Sequence, residues 1–166
     1  MRARFSLCFL FVATCFARAE SSLQHWTELG RLEGEVVAWE GEGWSDGRTI
    51  RLAGVSFPSS KSIFQVIDNP PENRRSLSSA LAAAGAVAGS NGGYFHKDFT
   101  PLGLTVSRGE TIHRFERARL LSGLLVVRHG RIELVRSGKF KSGSDVQQAL
   151  QAGPWLVEKG APVAGL

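Results

Sequence analysis

The sequence predicts an α+β fold built mainly on antiparallel strands with a few short helices. Short apolar, β-branched runs alternate with glycine-containing turns along most of the chain, and two segments carry helix signals. The 166 residues include 19 glycines and six prolines, which favours many turns. Charged residues make up 21% and hydrophobic residues 43%, so a disordered chain and a wholly apolar membrane protein are excluded.

The first half of the chain predicts a hairpin, a third strand and a short helix. Residues 35–39 and 48–52 read as strands around a glycine-rich turn that ends in Asp46-Gly47. Residues 43–47 also match the G-x-S-x-G pattern. A nucleophile elbow needs a helix after the serine, however, and a strand follows here, so a hairpin turn is favoured. Residues 62–67 predict another strand, and Ser76 is expected to cap a helix over 77–84 with Gly85 after it.

The second half predicts further strands and one more helix. Its clearest feature is a two-strand hairpin over 124–128 and 131–136, turning at His129-Gly130. Residues 145–150 predict a short helix. The other expected strands are 86–88, 102–107 with a turn at Arg108-Gly109, and 155–157 with a turn at Lys159-Gly160.

Residues 1–19 resemble a secretory signal peptide. A basic start with Arg2 and Arg4 precedes an apolar run over 5–16, and Ala17-Arg18-Ala19 fits a cleavage site. We therefore expect cleavage after Ala19 and a periplasmic or secreted protein. The apolar run is shorter than the roughly 20 residues that a membrane crossing needs, so no transmembrane segment is predicted in the mature chain. A buried N-terminal helix and lipidation of Cys15 are the alternatives.

Charge and cysteine content limit the possible partners of the mature chain. Removing three arginines from the 20 basic residues leaves 17 against 15 acidic ones, which argues against nucleic acid as a partner. Both cysteines, Cys8 and Cys15, lie in the signal segment, so the mature chain has no thiolate nucleophile or thiolate metal ligand. The four histidines lack metal-binding spacing, and the sequence predicts no metal site and identifies no cofactor.

The stretch Ser90-Asn91-Gly92-Gly93-Tyr94-Phe95 is the most informative one. The glycines allow positive φ and close approach of the backbone to a ligand, and their N–H groups suit an anion. Asn91 suits sugar hydroxyls, and Tyr94 or Phe95 suits a sugar ring. A plain Asn-Gly turn is the alternative.

Two neighbouring segments concentrate ionisable groups. His96 is followed by Lys97 and Asp98, so one loop is expected to present three such groups together. Residues 113–119 hold a histidine, three arginines and a glutamate, and this segment suits either an anionic ligand or a solvated charged loop, the latter being favoured.

Three blocks in order resemble the phosphodiester glycosidase family. They are Asn91-Gly92-Gly93-Tyr94-Phe95, Pro101-Leu102-Gly103-Leu104, and the run from Gln151 through Gly153-Pro154 to Val157. The likeness covers about residues 60–166. The family includes the lysosomal uncovering enzyme and many exported bacterial proteins. The resemblance implies a mixed fold on antiparallel strands and hydrolysis of a sugar-1-phosphodiester. It also implies these substrate-binding residues: Asn91, Gly92, Gly93, Tyr94, Gly103, Gln151 and Gly153.

Hydrolysis of a sugar-1-phosphodiester needs a carboxylate, phosphate donors and a base for water. Asp98 and His96 are the candidate bases, and Asp68 is a second candidate carboxylate or a turn cap. Many family members carry aspartate where this chain has His96, so Asp98 is expected to take that role. The division of acid, base and nucleophile among the three catalytic candidates stays open.

These observations predict an exported glycosidase that acts on phosphate-linked sugars of an envelope or extracellular polysaccharide. The alternatives are a non-catalytic glycan-binding module and an inactive truncated fragment. Family members continue with an arginine-threonine segment and an aspartate-glycine-glycine segment that do not occur before Leu166. We therefore expect residues 20–166 to form a phosphodiester glycosidase-like domain that lacks its C-terminal part, with the 155–157 strand short of a neighbour.

Overall fold

The computed structural model describes residues 22–45 and 47–164, which fall into two compact units. The first unit is residues 1–62 and the second is residues 63–166. The predicted signal peptide, including both cysteines, lies outside the described residues, as does Asp46 of the first predicted turn.

The first unit is a three-stranded antiparallel sheet. Its strands follow one another in space as in sequence: β1 (Ser22–Arg31), β2 (Val37–Ser45) and β3 (Arg48–Ser56). The indole of Trp26 lies over two glycines of the neighbouring strands, so that a Cβ on Gly41 would be 3.0 Å from its ring. Trp39 Nε1 donates to Ser56 Oγ at 2.8 Å. Glycines on β2 and β3 thus provide the space that the large indole needs.

The G-x-S-x-G stretch forms the hairpin between β2 and β3. Ser45 is the last residue of β2 and pairs with Arg48, the first residue of β3. Gly47 has φ +75°, the left-handed conformation that glycine adopts without strain. A strand rather than a helix follows, so Ser45 does not stand on a nucleophile elbow.

The second unit is built on a five-stranded antiparallel sheet. The strands of this unit are β4 (Thr105–Ser107), β5 (Glu110–His113), β6 (Gly123–Arg128), β7 (Arg131–Arg136), β8 (Val146–Ala152), β9 (Val157–Glu158) and β10 (Ala161–Pro162). The spatial order of the five-stranded sheet is β5-β4-β8-β6-β7, so β8, its last strand in sequence, lies in the middle. A separate two-stranded ladder joins β9 and β10.

The core of this unit covers one face of the central strands. Six buried apolar residues form it, and three partly buried side chains pack against it. Leu104 directly precedes β4, and the other five buried residues lie on β4, β6 and β8: Val106, Leu124, Val126, Val146 and Ala149. Along β6, Leu124, Val126 and Val127 are buried and the other three residues are half-buried, so the strand is covered along most of its length.

The predicted α+β class is wrong, because the described residues are mostly antiparallel strands with a single α-helix. That helix is α1 (Leu77–Ala83). The segment 145–150, expected to be a second helix, is part of β8. Its glutamines, alanine and leucine favour helix locally, but pairing with β4 on one side and β6 on the other satisfies its backbone and buries it.

Three other expected strands differ from the structure. Residues 62–67 and 86–88 are outside any strand, and 155–157 contributes only Val157 to the short β9 ladder. Val66 is nevertheless buried and held by side chains: its N–H donates to Gln148 Oε1 at 3.0 Å, and its carbonyl accepts from Ser107 Oγ at 2.7 Å. Side-chain hydrogen bonds therefore replace a strand partner there.

The predictions that rest on local steric preferences of the backbone are confirmed. Ser76 caps α1 by accepting from the Ser79 N–H, and Gly85 has φ +61° directly after the helix. The predicted turns at 108–109, 129–130 and 159–160 each have positive φ at both residues, as tight hairpins require. The part of the chain that the structure describes contains no helix with the length and hydropathy for a membrane crossing.

Candidate functional site

The segment 91–94 lies along the C-terminal end of β8. A Cβ on Gly92 would be 2.8 Å from Leu150 Cδ2, and a Cβ on Gly93 would be 2.6 Å from the carbonyl oxygen of Gln151. Neither glycine has positive φ. Gly93 is therefore required by close packing on the backbone of β8, whereas Gly92 meets only the end of the Leu150 side chain, and neither glycine has the expected left-handed conformation.

Asn91 is the first residue of the 91–94 segment and lies at the surface. Asn91 and Gly92 are exposed, and Gly93 is half-buried. Within residues 22–45 and 47–164, the backbone N–H groups of Asn91, Gly92 and Gly93 make no hydrogen bond. These N–H groups and the Asn91 amide are thus available as donors to a ligand at the surface.

Tyr94 ties the segment to the residue after β8. Its hydroxyl donates to the Gly153 carbonyl at 2.6 Å, and its own carbonyl accepts from the Leu102 N–H at 2.8 Å. The ring stays 42% exposed. Gly153 is closely packed against the backbone, since a Cβ there would lie 2.1 Å from the Leu120 carbonyl oxygen. Tyr94 and Gly153 therefore set the spacing between the 91–94 segment and the 120–122 segment.

Gln151 is a buried connector rather than a surface group. Its side chain is 1% exposed, and all its hydrogen bonds go to the protein backbone. Oε1 accepts from the N–H groups of Leu104 at 2.8 Å and Glu116 at 3.1 Å, while Nε2 donates to the carbonyls of Glu116 at 2.7 Å and Leu121 at 3.0 Å. The amide thus has no capacity left for a substrate and instead positions three segments.

Gly103 shares this buried position. Its φ is +95°, and a Cβ would lie 3.0 Å from Gln151 Oε1 and 3.2 Å from Leu121 Cδ1. Its carbonyl accepts from His113 Nδ1 at 3.0 Å. Of the seven residues implied to bind substrate, Gln151 and Gly103 are therefore buried beneath the surface on which Asn91 and Tyr94 lie.

His113 and Glu116 form a half-buried pair next to Gly103. Since the Gly103 carbonyl only accepts, His113 Nδ1 carries the proton, and its Nε2 lies 3.8 Å from Glu116 Oε1. The segment 113–119 is thus not a uniformly solvated loop, although Arg114 and Arg117 are exposed. Sequence reasoning had not included His113 or Glu116 among the site residues; only the density of ionisable groups there pointed to them.

Asp98 and His96 lie in an exposed turn. Phe95 and Pro101 form an antiparallel bridge across it, and the His96 N–H donates to the Thr100 carbonyl at 2.9 Å. Asp98 Oδ1 accepts from the Thr100 N–H at 3.1 Å and from Thr100 Oγ1 at 2.7 Å. These two hydrogen bonds hold the pKa of the Asp98 carboxyl below its ordinary value, and the nearby His96 adds to the effect. Asp98 is therefore an ionised carboxylate at neutral pH.

An aromatic surface adjoins this turn. The rings of Phe95 and Phe99 stack with their centroids 5.7 Å apart, and both are exposed, by 62% and 47%. The Arg74 guanidinium lies over the Phe99 ring at 3.9 Å from its centroid. Phe99 and Arg74 were not predicted from the sequence, because their contact joins residues far apart along the chain.

Asp68 lies beside the loop that carries Arg74. The Asn69 side chain closes this loop by bonding both the N–H and the carbonyl of Arg75 at 2.9 Å. Asp68 itself is exposed, and no hydrogen bond or ion pair joins it to the described residues of the 95–101 turn. Asp98 and His96 thus interact within one turn, whereas Asp68 makes no direct polar contact with the described residues of that turn.

The described residues offer no ready metal centre. Among them, no group of three histidine, cysteine, aspartate or glutamate side chains is close enough to hold a metal ion.

Comparison with known proteins finds a family-model match over most of the second unit. Residues 84–165 match the family model described as phosphodiester glycosidase. This range contains the 91–104 segment, all strands of the five-stranded sheet, and Gly153. No curated protein and no solved structure matches the chain significantly.

Proposed function

We propose that this chain, whose residues 84–165 match the phosphodiester glycosidase family model, is an exported hydrolase of sugar-1-phosphodiesters. Its substrate would be a phosphate-linked sugar, such as an N-acetylglucosamine-1-phosphodiester, in an envelope or extracellular polysaccharide. The observation that carries the proposal is the position of Asp98. An ionised carboxylate lies beside His96 in an exposed turn flanked by aromatic rings, within the family's range.

The chemistry of the substrate suits a site with one ionised carboxylate. A phosphate attached to C1 leaves readily with the bonding electron pair, so that little acid assistance is needed. The positive charge that develops at C1 is stabilised by a carboxylate such as Asp98. Water then adds at C1, and its proton passes to Asp98 or His96. The Asn91 amide and the free N–H groups of 91–93 are suited to hold the phosphate oxygens or the sugar hydroxyls.

The test is hydrolysis of an N-acetylglucosamine-1-phosphate methyl ester in ¹⁸O-labelled water. Cleavage of the C1–O bond puts the label in the sugar, whereas a phosphodiesterase would put it in the phosphate. Asp98→Asn should lower kcat at least a hundredfold, because removal of a charge-stabilising group typically costs that much. Glu133→Gln, which removes an exposed carboxylate on β7, is the matched control and should leave kcat unchanged. Label in the phosphate, or full activity of Asp98→Asn, would refute the proposal.

A non-catalytic glycan-binding module is the second candidate. It is favoured by the two exposed, stacked rings of Phe95 and Phe99. Glycan binding without any labelled product, abolished by Phe95→Ala, would select this alternative.

Export is tested separately from activity. We expect the secreted or periplasmic protein to begin at Glu20, as N-terminal sequencing would show. A protein that still begins at Met1, or one that carries a lipid on Cys15, would contradict export by cleavage after Ala19.

A further inference from the structure

Arg74 lies at the edge of the proposed site without an ionic partner. Its guanidinium stacks on Phe99, and among the described residues it makes no salt bridge and no hydrogen bond. By contrast, Arg128 pairs with Asp145 and Arg136 with Glu158. Arg74 therefore keeps its donors free while its plane is fixed by the ring.

Local hydrogen bonds hold both the loop that carries Arg74 and the turn that carries Phe99. On one side, Asn69 closes the loop of residues 69–75 by bonding the Arg75 backbone. On the other, Phe99 has φ +68°, which an aromatic residue rarely adopts, and its N–H donates to the His96 carbonyl at 2.9 Å. The cost of this left-handed conformation is offset by the turn's hydrogen bonds, and the result is a ring displayed under the guanidinium.

We propose that Arg74, held on the Phe99 ring, binds the phosphate of the substrate next to the Asp98 turn. The inference rests on the proposed function and adds a binding residue outside the range of the family match. A guanidinium fork matches two oxygens of a phosphodiester, and its stacking fixes the plane from which its N–H groups point. The sugar would then lie toward the Asp98 turn, with its anomeric carbon between the phosphate and the carboxylate.

The test compares a charged and a neutral sugar ligand by calorimetric titration. The probes are the N-acetylglucosamine-1-phosphate methyl ester and methyl N-acetylglucosaminide, which lacks the phosphate. Arg74→Gln should weaken binding of the phosphodiester about ten- to a hundredfold, as expected for loss of charge-assisted hydrogen bonds. Binding of the neutral glycoside should change less than twofold. Arg74→Lys should fall between the wild type and Arg74→Gln, because it keeps the charge but not the planar fork.

Arg75→Gln is the matched control. It removes the same charge one residue away, and the Asn69 bonds to the Arg75 backbone remain. If Arg75→Gln weakens phosphodiester binding as much as Arg74→Gln does, only net charge matters and the proposal is wrong. An equal loss for the neutral glycoside in Arg74→Gln would also overturn it, since that indicates damage to the fold or the sugar site. Phe99→Leu should weaken phosphodiester binding several-fold by releasing the guanidinium.

Failure of this inference and failure of the proposed function give different results. If the wild type binds the phosphodiester through Arg74 but yields no labelled product, the hydrolase proposal fails and the phosphate site stands. If the wild type hydrolyses the ester and Arg74→Gln binds it equally well, the hydrolase proposal stands and Arg74 has no role in phosphate binding.

Discussion

The buried Gln151 network and the exposed 95–101 turn differ in where their polar groups are directed. Gln151 begins one of the blocks that carry the family resemblance, and the turn connects the other two; Gln151 makes all four of its side-chain hydrogen bonds to the backbone of residues 104, 116 and 121. The turn leaves His96 and two aromatic rings at the surface and uses only one carboxylate oxygen of Asp98 internally. The region that resembles the family therefore contains both residues that hold the fold together and residues that are exposed to a ligand.

This difference predicts opposite mutational effects. Changes around Gln151 should act on the free energy of unfolding, whereas changes in the turn should act on ligand binding and on proton equilibria. The four changes below run from the largest expected effect on stability to the smallest.

Gln151→Met should abolish the cooperative fold of the second unit. It leaves four backbone groups without partners, each costing about 1–3 kcal/mol, against a typical domain stability of about 5–15 kcal/mol. Thermal unfolding followed by circular dichroism measures the effect. The control is Gln147→Met on the exposed side of β8, which loses one exposed bond from the Gly130 N–H. A Gln151→Met protein that melts like the wild type would show that the network is not required.

Gly153→Ala should destabilise the protein by about 1–3 kcal/mol, as overpacking in a tight site does. Its Cβ would fall 2.1 Å from the Leu120 carbonyl oxygen, so backbone has to move. Gly138→Ala is the matched control, because open space surrounds that position. Urea denaturation of both variants gives the free energies, and equal midpoints would contradict the close contact at Gly153.

Tyr94→Phe should lower stability by roughly 0.5–1.5 kcal/mol through loss of the bond to the Gly153 carbonyl. The same urea experiment resolves this change in midpoint. Tyr94→Leu removes the ring as well and should cost more. If Tyr94→Phe equals the wild type and only Tyr94→Leu is destabilised, then ring packing rather than the hydroxyl links the two segments.

Thr100→Val should raise the pKa of Asp98 toward its ordinary value, because the hydroxyl donor is lost. In the wild type the lowered pKa means that the Asp98–Thr100 bonds stabilise the folded state above about pH 4, the ordinary aspartate range. That contribution disappears as the pH falls through the lower, folded-state pKa. Carboxyl carbon NMR shifts across a pH titration measure the pKa directly. Thr111→Val, at an exposed position on β5, should leave it unchanged.

Short-range signals in the sequence predicted much of the β structure. The β6–β7 hairpin, the three Xaa-Gly turns and the Ser76 cap all depend on residues within a few positions of one another. Steric preferences of the backbone decide such features, so they are visible in the sequence. The Asp98–Thr100 turn, in which an aspartate bonds the backbone two residues on, is equally local but was not predicted; only a loop that presents His96, Lys97 and Asp98 was.

Long-range contacts explain why the helix predicted from the local sequence pattern over 145–150 is wrong. The helix expected over 145–150 is β8, because two strands pair with it and its Gln148 and Gln151 side chains find buried partners elsewhere in the chain. Glutamine at a buried strand position breaks the expected alternation, and its hydrogen-bond partners 30 or more residues away are invisible to a local reading.

By itself, the sequence determined the family blocks, the main hairpins and the surface candidates Asn91, His96 and Asp98. Only the tertiary structure decided that Gly93 is needed for packing on the backbone of β8 and that the Gln151 side chain uses all its hydrogen-bonding groups within the protein. It also decided that Arg74 lies on Phe99. The physical reason is that residue type and spacing determine local backbone conformation, whereas burial and the pairing of polar groups depend on which distant segments are brought together.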